Sequence, residues 1–152
     1  MNWPEPEGSV CVVCGKPAIV IASDPVEERV GGRTYAIDGF TYNRCDACGE
    51  KFFLLGQLDE ISRRVNEMAR SDLGRLSSDE IASLRHDLDL TQAQLETRLG
   101  VSPGLVGRWE RGTVLQSAMA DRYLRDLQAH PELVVRDELV ARESRGPYRR
   151  KS

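Results

Sequence analysis

Apolar and polar positions change period along the chain, and each change marks a different element. Ala18-Ile-Val-Ile21 is a short apolar run of strand length. Ser23 to Gly32 is polar and reads as a loop. Tyr35 and Ile37, then Phe40 and Tyr42, alternate at the strand period of two. These pairs flank Asp38-Gly39, which predicts a two-residue hairpin turn between Arg33–Ile37 and Phe40–Asn43. After Glu50 the period becomes helical. Phe53, Leu54, Leu58, Ile61, Val65 and Met68 recur at intervals of three and four, with Asp59, Glu60, Arg63, Arg64, Asn66 and Glu67 opposite. A helix from about Leu55 to Ala69 follows, broken by Ser71-Asp72-Leu73-Gly74. Its stripe is either core against its own neighbours or a lever between two modules. Ser77 and Glu80 then stand at capping-box spacing ahead of Ile81, Leu84 and Leu88, in a helix ending at Leu90.

The segment Thr91–Gly112 predicts two short helices around a tight turn. Thr91 caps the first, with Gln94 reaching back, and Leu95 and Leu99 form its apolar pair. Gly100 ends it in the left-handed conformation, and Val101 plugs the turn. Ser102 is placed to cap the second helix, with Pro103 at its first position. Leu105, Val106 and Trp109 give that helix an apolar side, and Gly112 stops it. This segment resembles the lambda-repressor-like (Xre-type) helix-turn-helix family in its Thr-Gln opening, Leu-Gly-Val-Ser turn and Arg-Trp-Glu-Arg-Gly ending.

Such a recognition helix enters the major groove by its N-terminal part. With Val106 and Trp109 inward, Pro103, Gly104 and Arg108 fall on the DNA side. The resemblance implies base contacts at these three positions. Arg108 alone among them offers a hydrogen-bonding side chain, a fork that suits guanine O6 and N7. Pro103 and Leu105 could touch a thymine methyl group. Gly104 and Gly107 would allow close approach, each at up to ~1 kcal/mol of helix propensity. Gln92 matches the family's phosphate-bonding position. Ser102 with nearby N–H groups, and Arg111, are further phosphate anchors. The alternative for Arg108 is an ordinary solvated arginine. Glu96 replaces the alanine common in relatives, and either tilts the two helices apart or faces solvent.

Beyond Gly112, Met119, Tyr123, Leu124 and Leu127 predict a helix opening near Ser117. His130-Pro131 interrupts it, and a last helix runs from Glu132 to about Arg142, serving as a dimer contact or docking on its own domain. A basic tail closes the chain.

Composition narrows the class. The 152 residues, 40% hydrophobic and 30% charged, fit a soluble globular protein of one domain or two small ones. No apolar run approaches the ~20 residues of a membrane span, and the acidic N-terminus is no signal peptide, so the expected location is cytoplasmic. A net charge of −3 argues against a nonspecific nucleic-acid coat. Leu76–His130 carries eight acids and six arginines, so any DNA footprint must be local, with Arg98, Arg108 and Arg111 the available group.

The four cysteines form two Cys-x-x-Cys-Gly units, Cys11/Cys14 and Cys45/Cys48, separated by 30 residues. Two such turns supply the four soft ligands of a tetrahedral zinc site, and the gap leaves room for a small sheet, as in zinc ribbons. Disulfides and a redox Cys-x-x-Cys are the alternatives; a reducing compartment disfavours the first, and the doubled motif the second. Four cysteines close the coordination shell, so one structural zinc per chain is expected, stapling a module too small to hold itself. His86 and His130 read as surface helix residues. No Ser/His/Asp set, paired-carboxylate cleft or phosphate loop appears, so no enzyme is expected.

The predicted fold class is α+β: a zinc-ribbon-like β module (1–52), a connecting helix and linker (53–76), an all-α lambda-repressor-like domain (77–134), and a C-terminal helix with basic tail (135–152). The order of motifs, Cys-x-x-Cys, Gly-x-x-Tyr, Tyr-x-x-Cys-x-x-Cys-Gly-Glu, Leu-Thr-Gln, Arg-Trp-Glu-Arg-Gly and His-Pro-Glu-Leu, resembles the MqsA-type antitoxins with their YgiT-like zinc-finger half. The resemblance implies a zinc module that holds a protein toxin, and a homodimeric domain that binds operator DNA and represses its own operon. The family's DNA-reading asparagine falls at Gly104 and its arginine at Arg108, so only the second is retained. The alternative is a zinc-containing transcription regulator without a toxin.

Overall fold

The structure is a computed structural model that describes residues 3–134. Contacts divide it into two compact units. Among the described residues, one is built from residues 3–74 together with Arg111–Leu115, the other from Arg75–Glu110 and residues 116–134.

In the first unit, β1 (Ile19–Ala22), β4 (Tyr42–Cys45) and β5 (Lys51–Phe52) form an antiparallel sheet in the order β1-β4-β5. The ribbon of β2 (Val26–Val30) and β3 (Arg33–Ile37) is a separate sheet. The hairpin expected at Asp38-Gly39 therefore does not form. β3 pairs with β2 in the register Val30↔Arg33, and β4 pairs with β1, Ile19 opposite Cys45. The two-residue turn is Gly31-Gly32, with φ of +60° and +82°, the double positive φ that matches the twist of a hairpin. Ser23–Gly32 is correspondingly a strand and a turn rather than a loop. Its three successive charges, Glu27-Glu28-Arg29, are exposed, and Val26 is the inward residue.

The helix α1 (Leu55–Asp72) packs on β2 and β3. Ile61, Val65 and Ala69 join Ala22, Val26, Tyr35, Ile37, Phe40 and Tyr42 in one core. Leu54, Leu58 and Met68, expected in the stripe, are about half exposed. The buried face instead carries two polar side chains, Asn66 and Arg70, at 5% and 1% exposure. Asn66 Nδ2 donates to the Gly112 carbonyl at 2.9 Å, and Arg70 donates to the Val114 carbonyl at 2.7 Å while pairing with Glu67. A buried guanidinium without such partners would cost several kcal/mol. These bonds hold Arg111–Leu115 in this unit, and Leu115 packs against its core.

The second unit contains α2 (Ser78–Asp87), α3 (Gln92–Leu99), α4 (Leu105–Glu110) and α5 (Ala118–Ala129). Ser77 and Glu80 form the expected capping box on α2, and Ser117 caps α5. Leu76, Ile81, Leu84, Leu90, Leu95, Val106, Trp109, Leu124 and Leu127 are buried in it. Met119, expected on the inner side of α5, is exposed, and Asp121 is buried there instead. Asp121 accepts the Leu76 N–H at 2.8 Å and a Gln116 Nε2 hydrogen at 3.1 Å, and pairs with Arg125. The residues after Val134, including most of the expected last helix and the basic tail, lie outside the described residues.

Candidate metal centre and nucleic-acid interface

Each Cys-x-x-Cys-Gly unit folds into the same knuckle. The N–H of the first cysteine donates to the carbonyl five residues on, Cys11 to Lys16 and Cys45 to Glu50, at 2.8 and 2.9 Å. The glycine N–H donates back to that cysteine's carbonyl, Gly15 to Cys11 and Gly49 to Cys45, at 2.8 and 2.7 Å. Both glycines take positive φ, which a side chain would oppose. β4 delivers Cys45 to the second knuckle. The Asp46 N–H bonds the Ala18 carbonyl at 2.9 Å and fixes the second knuckle beside β1.

The four sulfurs lie within 4.8 Å of one another, and all four thiols are free of disulfides. Cys11 and Cys48 sulfurs are 3.8 Å apart, and those of Cys14 and Cys45 3.6 Å. A tetrahedron with Zn–S bonds of ~2.3 Å has edges of about 3.8 Å. A disulfide would need ~2.05 Å. The donor set thus fits one tetrahedral soft cation and leaves no open position for water.

The thiols' own electrostatics point the same way. Burial opposes ionisation of Cys45, but N–H groups of Cys48 and Ala47 and the neighbouring thiols outweigh it, bringing its pKa down to about 7. Cys48 moves oppositely, up to about 12. The Glu50 N–H favours its thiolate, yet desolvation and the crowding of Cys45, Cys14 and Cys11 prevail. The Cys45 thiolate forms readily and that of Cys48 hardly at all, unless a dication neutralises the cluster. Cys11 and Cys45 are buried with Ile19, and Phe52 packs beside them. On the outer side Val10, Val12 and Val13 are exposed, and Val10 and Val12 line a cleft of about 330 Å³ together with Trp3, Ile19 and Phe52.

The helix-turn-helix is built as the sequence suggests up to the turn. Thr91 accepts the Gln94 N–H, and Gln94 accepts the Thr91 N–H, at 3.2 and 2.8 Å. Gly100 is left-handed at φ +66°. The Val101 N–H reaches the Glu96 carbonyl and the Gly100 N–H the Thr97 carbonyl, the paired bonds of a Schellman ending.

The second helix starts later than expected. α4 begins at Leu105, whose N–H donates to the Ser102 carbonyl at 3.2 Å. Gly104 stands at φ +81°, which only glycine adopts readily, so Pro103 and Gly104 form the turn rather than the first residues of the helix. No helix-propensity cost falls on Gly104. Glu96 neither faces solvent nor stands idle. It is 6% exposed, and its Oε1 accepts the Val106 N–H at 3.0 Å. A carboxylate from α3 thus satisfies an orphan donor of α4. An alanine at this position could not, and the sequence signal was the acid itself at a helix-packing position.

Val106, Gly107 and Trp109 are buried, whereas Ser102, Pro103, Gly104 and Arg108 are exposed. Gln92 is exposed at the start of α3. Arg111 is also exposed, but by its contacts it belongs to the first unit. Behind this face stands an ion pair that sequence reasoning missed. Arg85 of α2 meets Glu110 of α4 through Nε at 2.5 Å, each side chain little exposed. Burial opposes the charge on Glu110, but bonds from Arg85 and Gln92 prevail and lower its pKa. His86 and His130 are exposed, as expected.

Among the described residues no helix is long and apolar enough to cross a membrane. Residues 9–139 match the family model described as the antitoxin component of a bacterial toxin–antitoxin system, MqsA. No curated protein matches the chain.

Proposed function

The chain belongs to the MqsA antitoxin family, and from that premise we propose that it acts on two partners. Its cysteine module, carrying one structural zinc, holds a protein toxin. Its helix-turn-helix binds operator DNA as a homodimer and represses the chain's own operon. The observation that carries the DNA half is the pair α3 and α4, with α3 capped at both ends and Glu96 bonding the Val106 N–H of α4, and with Val106 and Trp109 inward and Arg108 outward on the same six-residue helix. Arg108 would read guanine; Gln92 and the Ser102–Gly104 turn would lie along phosphates, with Arg111 a further anchor.

Zinc is the metal best suited to four thiolates whose sulfur separations match its bond length. With its shell closed it contributes folding energy and no reaction, so binding is the whole activity. The exposed valines around the first knuckle offer apolar surface that a toxin could cover. Co-expression with the small reading frame beside this gene tests the toxin half. Co-purification as a stable complex, lost when Cys45→Ser removes a ligand, is expected. A neighbour that never associates, or the lack of any such neighbour, favours a regulator acting alone. Footprinting tests the other half, with two protected half-sites about one helical turn apart expected of a dimer.

A further inference from the structure

We propose that Glu110 is a positioning residue for DNA contact, holding the Gln92 amide ready for a phosphate; this rests on the operator-binding reading above. Gln92 opens α3 and is exposed, yet its Nε2 donates to Glu110 Oε2 at 2.6 Å. Glu110 ends α4. The same carboxylate receives Arg85 twice, through Nε at 2.5 Å and a terminal nitrogen at 3.2 Å. Arg85 is itself fixed by the Leu90 carbonyl at 2.9 Å, immediately before the Thr91 cap. Three helices therefore converge on one carboxylate.

A glutamine amide carries two N–H donors. One is engaged by Glu110, and the other belongs to the same amide of an exposed side chain. A free glutamine loses rotamer freedom when it is ordered. Here that loss is incurred on folding, so a phosphate oxygen meets a donor already held. A lone carboxylate this near a phosphate would repel it. The two-pronged pair with Arg85 neutralises Glu110, so the acid can orient the amide without opposing the anion. The Glu in the Arg-Trp-Glu-Arg motif thus acts through Gln92 and not on the DNA.

The test is a double-mutant cycle read by fluorescence anisotropy, using the full chain and a duplex of the DNA immediately upstream of its gene. Gln92→Ala should weaken binding at least about threefold, and Glu110→Gln by a similar factor, while the two together weaken it no further than either alone. Breaking a buried pair can unfold the domain. The exchange Arg85→Met with Glu110→Leu replaces both charges by apolar groups and is tolerated in many ion pairs. In that folded background Gln92→Ala should change affinity by less than about twofold. Nitrogen-15 relaxation of the Gln92 side-chain amide supplies a readout that fold stability does not move. It should be as rigid as backbone in the native chain and mobile in the double exchange. Losses that multiply, or an amide equally mobile in both proteins, overturn the proposal. If the native chain fails to bind the duplex, it is the operator reading that falls, whereas a binding protein with independent losses sinks only the role of Glu110.

Discussion

Glu96 offers the sharpest check on how the reading head is assembled. Its carboxylate lies on α3, is 6% exposed, and accepts the N–H of fully buried Val106 at 3.0 Å. In Glu96→Ala that N–H has lost its acceptor, and water cannot readily replace it. A stranded buried donor costs ~1–3 kcal/mol. Taking about 2 kcal/mol, a domain of this size should lose roughly 8–16 °C in melting temperature. Glu96→Gln keeps an oxygen of the same reach and should cost less than about 1 kcal/mol. Thermal unfolding followed by far-ultraviolet circular dichroism separates the two variants. Alanine and glutamine variants that melt together, or an alanine variant that melts with the native chain, would refute a stabilising bond from Glu96 to Val106. Loss of operator affinity in the alanine variant at temperatures where it is still folded would show that the same bond also sets the pose of α4.

Two further outcomes are expected. Metal analysis should find one zinc per chain, and a strong chelator or Cys45→Ser should collapse the NMR signals of residues before Glu50 while those of α2–α5 persist; an unchanged N-terminal spectrum in chelator would refute a structural metal. Asp121 has its pKa lowered, since the Leu76 N–H, Arg125 and Gln116 outweigh the burial that opposes its charge. A depressed folded pKa gives stability that is complete above the unfolded value, ~3.9, and is lost as pH falls through the lower folded value. The urea midpoint of Asp121→Asn should therefore trail the native one at pH 7 and converge with it below about pH 4; a gap constant with pH would contradict the assignment.

What could be read from residues alone was whatever is fixed locally. The caps at Ser77 and Thr91 and the left-handed ending at Gly100 each depend on groups within four residues, and each formed as read. The two cysteine knuckles are local in the same sense, and their meeting followed from the chemistry of four soft donors. The errors came where distant partners decide. Asp38-Gly39 and Gly31-Gly32 are both good turn dipeptides, and only the choice of sheet partner selects the second. Met68 and Met119 matched a helical period, yet Arg70 and Asp121 take buried positions because carbonyls and N–H groups more than forty residues away satisfy them. Pro103 suggested a helix start that Gly104, with its positive φ, postpones to Leu105. Glu110 gave no local sign of its role, since Arg85 and Gln92 reach it only once three helices are packed.

If the helix-turn-helix reads an operator, Arg108 must carry sequence information from α4 to a base. The direct measurement is an anisotropy titration of the native chain and Arg108→Ala against the upstream duplex and a scrambled duplex of equal length, at one fixed salt concentration. The expected result is a loss of ~1–3 kcal/mol on the upstream duplex, with the scrambled duplex bound almost as before. An equal loss on both duplexes would make Arg108 a phosphate contact, and no loss on either would remove it from the interface.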